Sequence, residues 1–275
     1  MSTANVINSF QLKYDEVMLP ALQESAANSI PLKIARLEQT QDAEKAVFYN
    51  LTAASTSNTM DMTDGTDPGT AGNVEKFEAT IKPHYAYRRV YKTEMNKTNL
   101  DIAGDFVRSF VRAVDRSVNK DFLTTIDTAK AGDEIGDNTK APSEQIDTFI
   151  TACELAAIRV SENPEYAPKA LLIMNAKDYA DLYKADRKIN SLYGEFNGSG
   201  KFYGVEVMTF NSDVVPSGTS YVIPYGTVGF GYWSEVEAKS DYETMFDGLA
   251  CFAQKSGGAV VIEEDVIEVI KTKAL

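Results

Sequence analysis

The sequence predicts an α+β fold. Three observations carry that reading: a sustained helical pattern from Thr98 to Lys130, a strictly alternating strand around Phe77–Arg88, and a series of short strand signals beyond Gly194. At 275 residues the chain can bury a real core, in one domain or two intimately connected ones. Apolar residues make up 44% and charged ones 24%, the proportions of an ordinary folded protein, which excludes wholesale disorder. The formal net charge of −13 favours solubility and argues against a protein whose main task is gripping nucleic acid, while leaving room for a local basic face.

Residues 1 to about 40 mix polar and apolar positions around Pro20 and Pro31, with helix-like spacing at Val17, Leu22 and Ile30. They predict an arm with one or two short helices rather than an independent core. A strand follows at Ala46–Leu51. Ser55–Asn73 is almost entirely Ser, Thr, Asn, Asp and Gly and predicts no regular structure. A loop of about 20 residues inside a compact domain signals function or a partner. Phe77, Ala79, Ile81, Pro83, Tyr85 and Tyr87 then alternate with Glu78, Thr80, Lys82, His84, Ala86 and Arg88, which predicts one strand with an apolar and a polar face. Pro83 donates no ladder hydrogen bond and favours an edge or a bulge. The two strands together make a long hairpin with an irregular tip.

Thr98 or Asn99 caps the longest helix, with Asp101 and Asp105 near the positive end of its dipole. Ala103, Phe106, Val107, Phe110, Val111, Val114, Val118, Phe122 and Ile126 form a one-sided apolar stripe. At 1.5 Å per residue its roughly 32 residues span about 48 Å, long for a domain of this size. Pro142-Ser143 opens a second helix carrying Ile146, Phe149, Ile150, Cys153, Ala157 and Val160, which ends before Pro164. A strand at Ala170–Met174 and a helix at Ala176–Lys184 follow, with Asn175 as cap and Asp178 at the third position of a capping box. Beyond the glycine-rich break Gly198-Ser199-Gly200, strands are expected at 202–210, 220–224, 227–233, 235–240, 248–255 and 258–270. No internal repeat recurs at a fixed period.

Motifs for chemistry fail on spacing. A phosphate loop at Gly198-Ser199-Gly200-Lys201 needs Ser or Thr after the lysine and a glycine five residues before Gly200, where Phe202 and Glu195 stand. A dinucleotide fingerprint wants glycine at 203, and Tyr203 is there. Asp61, Asp64 and Asp67 with Gly65 hint at calcium, but the position of a bidentate glutamate falls on Gly72. His84 is the single histidine, and no GxSxG turn presents a nucleophile to it. No catalytic, cofactor or metal residues are assigned. Cys153 and Cys251 lack a CxxC partner and are expected as reduced, buried hydrophobes. No run approaches the roughly 18 apolar residues of a membrane helix, and Met1–Val6 lacks the basic and apolar regions of a secretory signal.

The one charged pattern left is Arg108, Arg112, Arg116 and Lys120, which recur every four residues along the long helix and are offset in part by Asp105 and Asp115. From Lys82 to Lys130 ten Lys and Arg stand against six Asp and Glu, a positive segment in an acidic chain. Such a stripe is either a solvated face or a face turned toward something anionic, an acidic neighbouring subunit or packaged nucleic acid.

In order, these parts resemble the major capsid protein of tailed bacteriophages, the Hong Kong 97-type fold that encapsulins share. The likeness rests on element order, helped by Tyr87-Arg88-Arg89-Val90 before the long helix, Val118-Asn119-Lys120-Asp121-Phe122 within it, and the Gly200–Pro216 segment. The resemblance implies an N-terminal arm over 1–45, an extended loop hairpin over 46–95, a peripheral domain with its spine helix over 96–142, an axial domain over 143–240, and return strands of the peripheral domain over 241–275. It implies no enzyme and no cofactor, but a coat protein whose partners are copies of itself in pentamers and hexamers. In such a shell the loop of one subunit lies over the next, and the spine helix turns its Arg108–Lys120 stripe toward packaged DNA. The expected location is the virion capsid, assembled in the host bacterial cytoplasm without a membrane. Two departures matter. No lysine lies between Ser55 and Asn73, which argues against loop cross-linking. The hairpin starts near residue 46, so scaffolding is expected as a separate protein, alongside portal and decoration proteins. An encapsulin-type compartment shell is the same-fold alternative. A monomeric α+β enzyme or ligand-binding protein with Ser55–Asn73 as a lid is the remote one.

Overall fold

Apolar periodicity sorts the described residues into one long helix, three shorter ones and thirteen strands. The computed structural model describes Ala21, Ser25 and residues 28–40, 43–51, 74–91, 102–161, 170–190, 201–203, 205–233, 237–243 and 248–275. The Ser55–Asn73 tip, the Thr98–Asn99 cap and the Gly198–Gly200 break lie outside them. The helices are α1 (Ile30–Ile34), α2 (Ile102–Ala129), α3 (Ile146–Ser161) and α4 (Ala176–Asn190), with a 3-10 turn at Pro142–Glu144 before α3. The strands are β1 (Arg36–Gln39), β2 (Lys45–Leu51), β3 (Val74–Thr80), β4 (Lys82–Tyr91), β5 (Ile135–Gly136), β6 (Ala170–Asn175), β7 (Lys201–Phe202), β8 (Val205–Phe210), β9 (Thr219–Pro224), β10 (Val228–Tyr232), β11 (Glu237–Glu243), β12 (Gly248–Val261) and β13 (Glu268–Lys271).

Three sheets result. A six-stranded sheet runs β5-β13-β9-β6-β8-β7, a five-stranded one runs β1-β10-β12-β11 with β4 also on β12, and β2–β3 is a two-stranded hairpin. α2 inserts Val118, Phe122, Leu123 and Ile126 into a core that takes Ile30 and Ile34 from α1, Phe230 from β10, and Leu171, Ile173, Tyr221, Ile223 and Val269 from one face of the six-stranded sheet. Residues of opposite phase on that sheet (Leu172, Met174, Val222, Ile270) pack with Phe149, Ala152, Cys153 and Ala156 of α3 and Leu182 of α4 in a second core. β6 and β9 are therefore buried at every position, which is why each reads as a continuous apolar run instead of an alternation.

The structure adds detail to the expected elements. Residues 30–39 pack on the body: Ile30 and Ile34 are fully buried, and β1 extends the five-stranded sheet by pairing in parallel with β10. The strand expected across 77–88 is two strands. β3 pairs with β2, β4 pairs with β12, and Ile81 between them donates its N–H to the Glu44 carbonyl. The alternation changes phase at Lys82–Pro83, both exposed, because the chain leaves one sheet for another there. Ala79 and Ile81 point inward, but beyond them Ala86 and Val90 do so, and the predicted apolar positions Tyr85 and Tyr87 are exposed. β10 pairs with β12, β13 and β5 join the six-stranded sheet, and a 3-10 turn at Glu264–Val266 interrupts the strand expected over 258–270.

The hairpin β2–β3 lies on the body through a small core of Ala46, Phe48, Ala79, Ile81 and Ile262, with Phe77 and Trp233 beside it. Glycines make the approach possible. A side chain at Gly229 would enter the Phe48 ring, one at Gly231 would meet Ala46, and one at Gly258 would strike the Thr80 carbonyl. Lys45 reaches Glu78 across the hairpin at 2.7 Å and Lys76 reaches it along β3 at 2.6 Å, and together they hold its carboxyl down at about 2.

Candidate functional site: the two faces of the long helix

α2 spans about 42 Å at 1.5 Å per residue, and its two faces do different things. Inward lie Val107, Val111, Val114, Val118, Phe122, Leu123 and Ile126, all buried as the apolar spacing requires. Outward lie Arg108, Arg112, Arg116 and Lys120, all four exposed. The four-residue spacing drifts around the helix, so the cations form a slanted stripe about 18 Å long. Arg116 approaches Asp213 of the loop after β8, at 3.6 Å with both side chains exposed, a contact that contributes little on its own. Arg108, Arg112 and Arg116 line one wall of an open cleft of about 310 Å³; Asn28 and the Thr209–Asn211 end of β8 line the others. Its lining is mixed: the three arginines share it with Asp115 and with apolar Ala21, Val111, Phe210 and Val214. Lys120 lies outside the cleft.

Asp115 does not offset this stripe as its sequence position suggested. It is buried, and its Oδ1 accepts from Lys255 Nζ on β12 at 3.1 Å and from Ser25 Oγ at 2.7 Å. Lys255 Nζ also lies 3.4 Å from Ser29 Oγ. One turn on, the Asn119 side chain accepts from the Ile30 N–H at 3.0 Å and donates to the Asn28 carbonyl at 3.1 Å. Two polar residues of α2 thus hold Ser25 and residues 28–30 against the helix, each satisfied where an unpaired group would be costly. The sequence carried one sign of this clasp: Lys255 stands at an inward position of an otherwise apolar strand.

His84 enters from β4 and packs on α2. Its Nδ1 is 2.9 Å from Ser117 Oγ, and its Nε2 is 3.9 Å from Asp121 Oδ2, with Lys82 Nζ 3.8 Å from the same carboxylate. Ser, His and Asp are thus brought together, but not as a hydrolytic triad. The histidine–carboxylate distance exceeds hydrogen-bond reach. Ser117 sits in mid-helix, where backbone N–H groups are committed to carbonyls one turn back and none is left for an oxyanion. Burial pushes the His84 imidazole below its ordinary value, against the opposing pull of Asp121.

At the far end of α2, the Tyr221 hydroxyl donates to Asp127 Oδ2 at 2.9 Å and joins the helix to β9. Burial pushes the Asp127 carboxyl up, and burial together with Asp127 pushes the Tyr221 phenol up. Asn175 caps α4 as expected, accepting from the Lys177 N–H at 2.9 Å. Asp178 turns instead to the Pro216–Gly218 turn, accepting from Ser217 Oγ and the Gly218 N–H, both at 2.7 Å. Gly218 has φ +88°, and a side chain there would also collide with the Thr272 carbonyl. Cys153 and Cys251 are buried free thiols, each pushed up to about 12, far from the thiolate form needed for reactivity. Among the described residues no three His, Cys, Asp or Glu stand together as a metal site, and no helix is long and apolar enough to cross a membrane. Asp61, Asp64 and Asp67 lie outside the described residues.

No family model and no curated protein sequence matches the chain. Solved structures do. The capsid of the cyanophage P-SCSP1u aligns with a TM-score of 0.66 at 12% identity, over 88% of this chain and 87% of the other. Gordonia phage Cozz gives 0.65 at 13% identity, over 90% and 87%. The virus-like particle from Pyrococcus furiosus gives 0.59 at 14% identity, over 94% and 98%. Likeness at such low identity over nearly whole chains defines the class: the fold is the α+β fold of tailed-phage capsid chains, as the order of elements implied. P-SCSP1u and Cozz superpose more closely than the particle from Pyrococcus furiosus, whereas Mycobacterium phage Che8 gives the same TM-score of 0.59.

Proposed function

We propose that this chain is a major capsid protein that self-assembles into the icosahedral shell enclosing a phage double-stranded DNA genome. One observation supports the reading: about nine-tenths of the chain shares its fold with chains of structures described as capsids. The role is structural rather than catalytic, and the location is the virion, with assembly in the host bacterial cytoplasm. Purified protein viewed by negative-stain microscopy should form closed shells tens of nanometres wide. A persistent 30 kDa monomer under assembling conditions would overturn the reading.

Within it, Arg108, Arg112, Arg116 and Lys120 are the inner contact with DNA, supported by their common exposed face and the cleft three of them line. The contact is weak and non-specific, and weakens as salt rises because counterions compete for the phosphates. Reversing Arg112 and Arg116 to Glu together should lower genome packaging while leaving empty-shell assembly intact. Packaging equal to that of the unaltered chain would remove the stripe from the proposal. Portal, scaffolding and decoration proteins complete the particle as separate chains. The encapsulin-type shell remains the reading to which a genome-free particle filled with cargo enzyme would point.

A further inference from the structure

His84 and Lys255 stand directly opposite each other in the β4–β12 ladder. Residues so placed share a face, with Cβ atoms about 4.5–5.5 Å apart, and both of these turn toward α2. The Lys255 ammonium is buried there against Asp115 at 3.1 Å, with Ser29 Oγ 3.4 Å away. The His84 ring meets the same helix at Ser117, where Nδ1 is 2.9 Å from Oγ. Its Nε2 is buried with no hydrogen-bond partner among the described residues.

Three charged groups set the state of this ring. Asp121 of α2 lies 3.9 Å from it, Lys82 of its own strand shares that carboxylate at 3.8 Å, and Lys255 of β12 faces it across the ladder. Burial pushes the imidazole below its ordinary value; Asp121 pulls it up, and Lys82 and Lys255 push it down again. The Asp121 side chain is 41% exposed, so water weakens its attraction, whereas Lys255 is 5% exposed and its repulsion is screened far less. A proton on His84 therefore adds a second cation to a seam that already holds a buried one.

That coupling is reciprocal. A seated Lys255 makes the proton harder to take up, and a bound proton makes Lys255 harder to keep seated. Lys255 and Ser25 share Asp115 Oδ1, and one turn on Asn119 holds the Ile30 N–H and the Asn28 carbonyl. A change at His84 is thus passed through Lys255 and Asp115 to the N-terminal segment on the far side of the ion pair. We propose that His84 is an acid-sensitive latch: a proton on its ring works against the Lys255–Asp115 pair and loosens Ser25 and residues 28–30 from α2. The latch works below the ordinary imidazole value of about 6.5 and above the ordinary carboxylate values of about 4, where Asp115 and Asp121 still carry charge. It is a property of the single chain, beyond its reading as a shell subunit.

Hydrogen exchange of the tag-free chain at about pH 7.5 and about pH 5 tests it, after correction for the intrinsic effect of pH on exchange. In the parent, protection of the peptide holding Ile30 should fall at least tenfold at the lower pH. In His84→Gln it should fall less than threefold. A parent whose protection does not change, or a His84→Gln chain that loses as much as the parent, overturns the latch. A second measurement covers a His84→Gln chain that does not fold. His84 is the single histidine, so its carbon-13-labelled ring can be titrated by NMR with no other signal to confuse it. Replacing the ion pair, Lys255→Met with Asp115→Leu, should move the midpoint of that titration up by about 0.5 or more. A midpoint that stays or falls overturns the coupling.

Discussion

The six-stranded and five-stranded sheets are covered differently. β6 and β9 carry apolar side chains on both sides, and both sides are packed, one by α2 and α1, the other by α3 and α4. β4 and the 248–254 stretch of β12 are packed by α2 on one side and carry exposed tyrosines on the other. Among the described residues the first sheet is packed on both faces by helices, while the second has the β2–β3 hairpin over its β10 end and exposed tyrosines on β4. The difference teaches that helices close the first sheet, whereas glycines that admit a hairpin close part of the second.

Two buried substitutions, one beside each sheet, should cost the most in stability. Phe149→Ala opens a cavity between α3 and the six-stranded sheet and should destabilise by about 3–5 kcal/mol in denaturant unfolding. Lys255→Ala, in the five-stranded sheet, should cost a similar amount, about 3–5 kcal/mol, by stranding the buried Asp115 carboxylate. The two differ in repair. Combining Lys255→Met with Asp115→Leu should recover much of the loss, whereas no polar partner waits to be removed beside Phe149. Gly231→Val pushes against Ala46 and should lift the hairpin base at about 1–3 kcal/mol. The single tryptophan, Trp233, reports this: its indole N–H donates to the Ala43 carbonyl, and its emission should shift as the hairpin moves.

A pH dependence belongs to the same seam. The folded state lowers the pKa of His84, so the unfolded chain binds the proton more readily. Stability from this group is fully present above the ordinary imidazole value of about 6.5 and is lost as pH falls below it toward the depressed folded value. His84→Gln should flatten that part of the stability profile measured by thermal melts. The smallest effect is expected at the exposed tyrosines, where Tyr85→Ser in the unassembled chain should change stability by no more than about 0.5 kcal/mol. A larger loss would mean that the Tyr85 ring packs on its own chain more than its exposure indicates.

Local patterns made much of this legible. The 3.6-residue apolar stripe gave α2 and, by subtraction, the exposed faces of Arg108, Arg112, Arg116 and Lys120. The apolar runs gave β6, β9 and β10, and Asn175 announced α4. What escaped depends on residues far apart in the chain. Tyr85 and Tyr87 keep the alternation of Phe77 and Ala79, and only the change of partner from β2 to β12 reverses their exposure. Gly229, Gly231 and Gly258 read as weak points of strands, because the hairpin they make room for starts near residue 45. Asp115 and Lys255 are each an ordinary charged residue until folding removes the 140 positions between them.

The clasp on Ser25 and residues 28–30 also has a timing. Ser29 and Lys255, which meet in it, are 226 residues apart. At a synthesis rate of roughly 5–20 residues per second, the early residues wait on the order of ten to fifty seconds for their late partner. β12, which supplies that lysine, is also the strand that pairs with β4. A chain cut short before residue 248 therefore keeps Asp115 and Ser29 but lacks the cation that joins them. The first-made part of the fold waits on nearly the last to be locked in place.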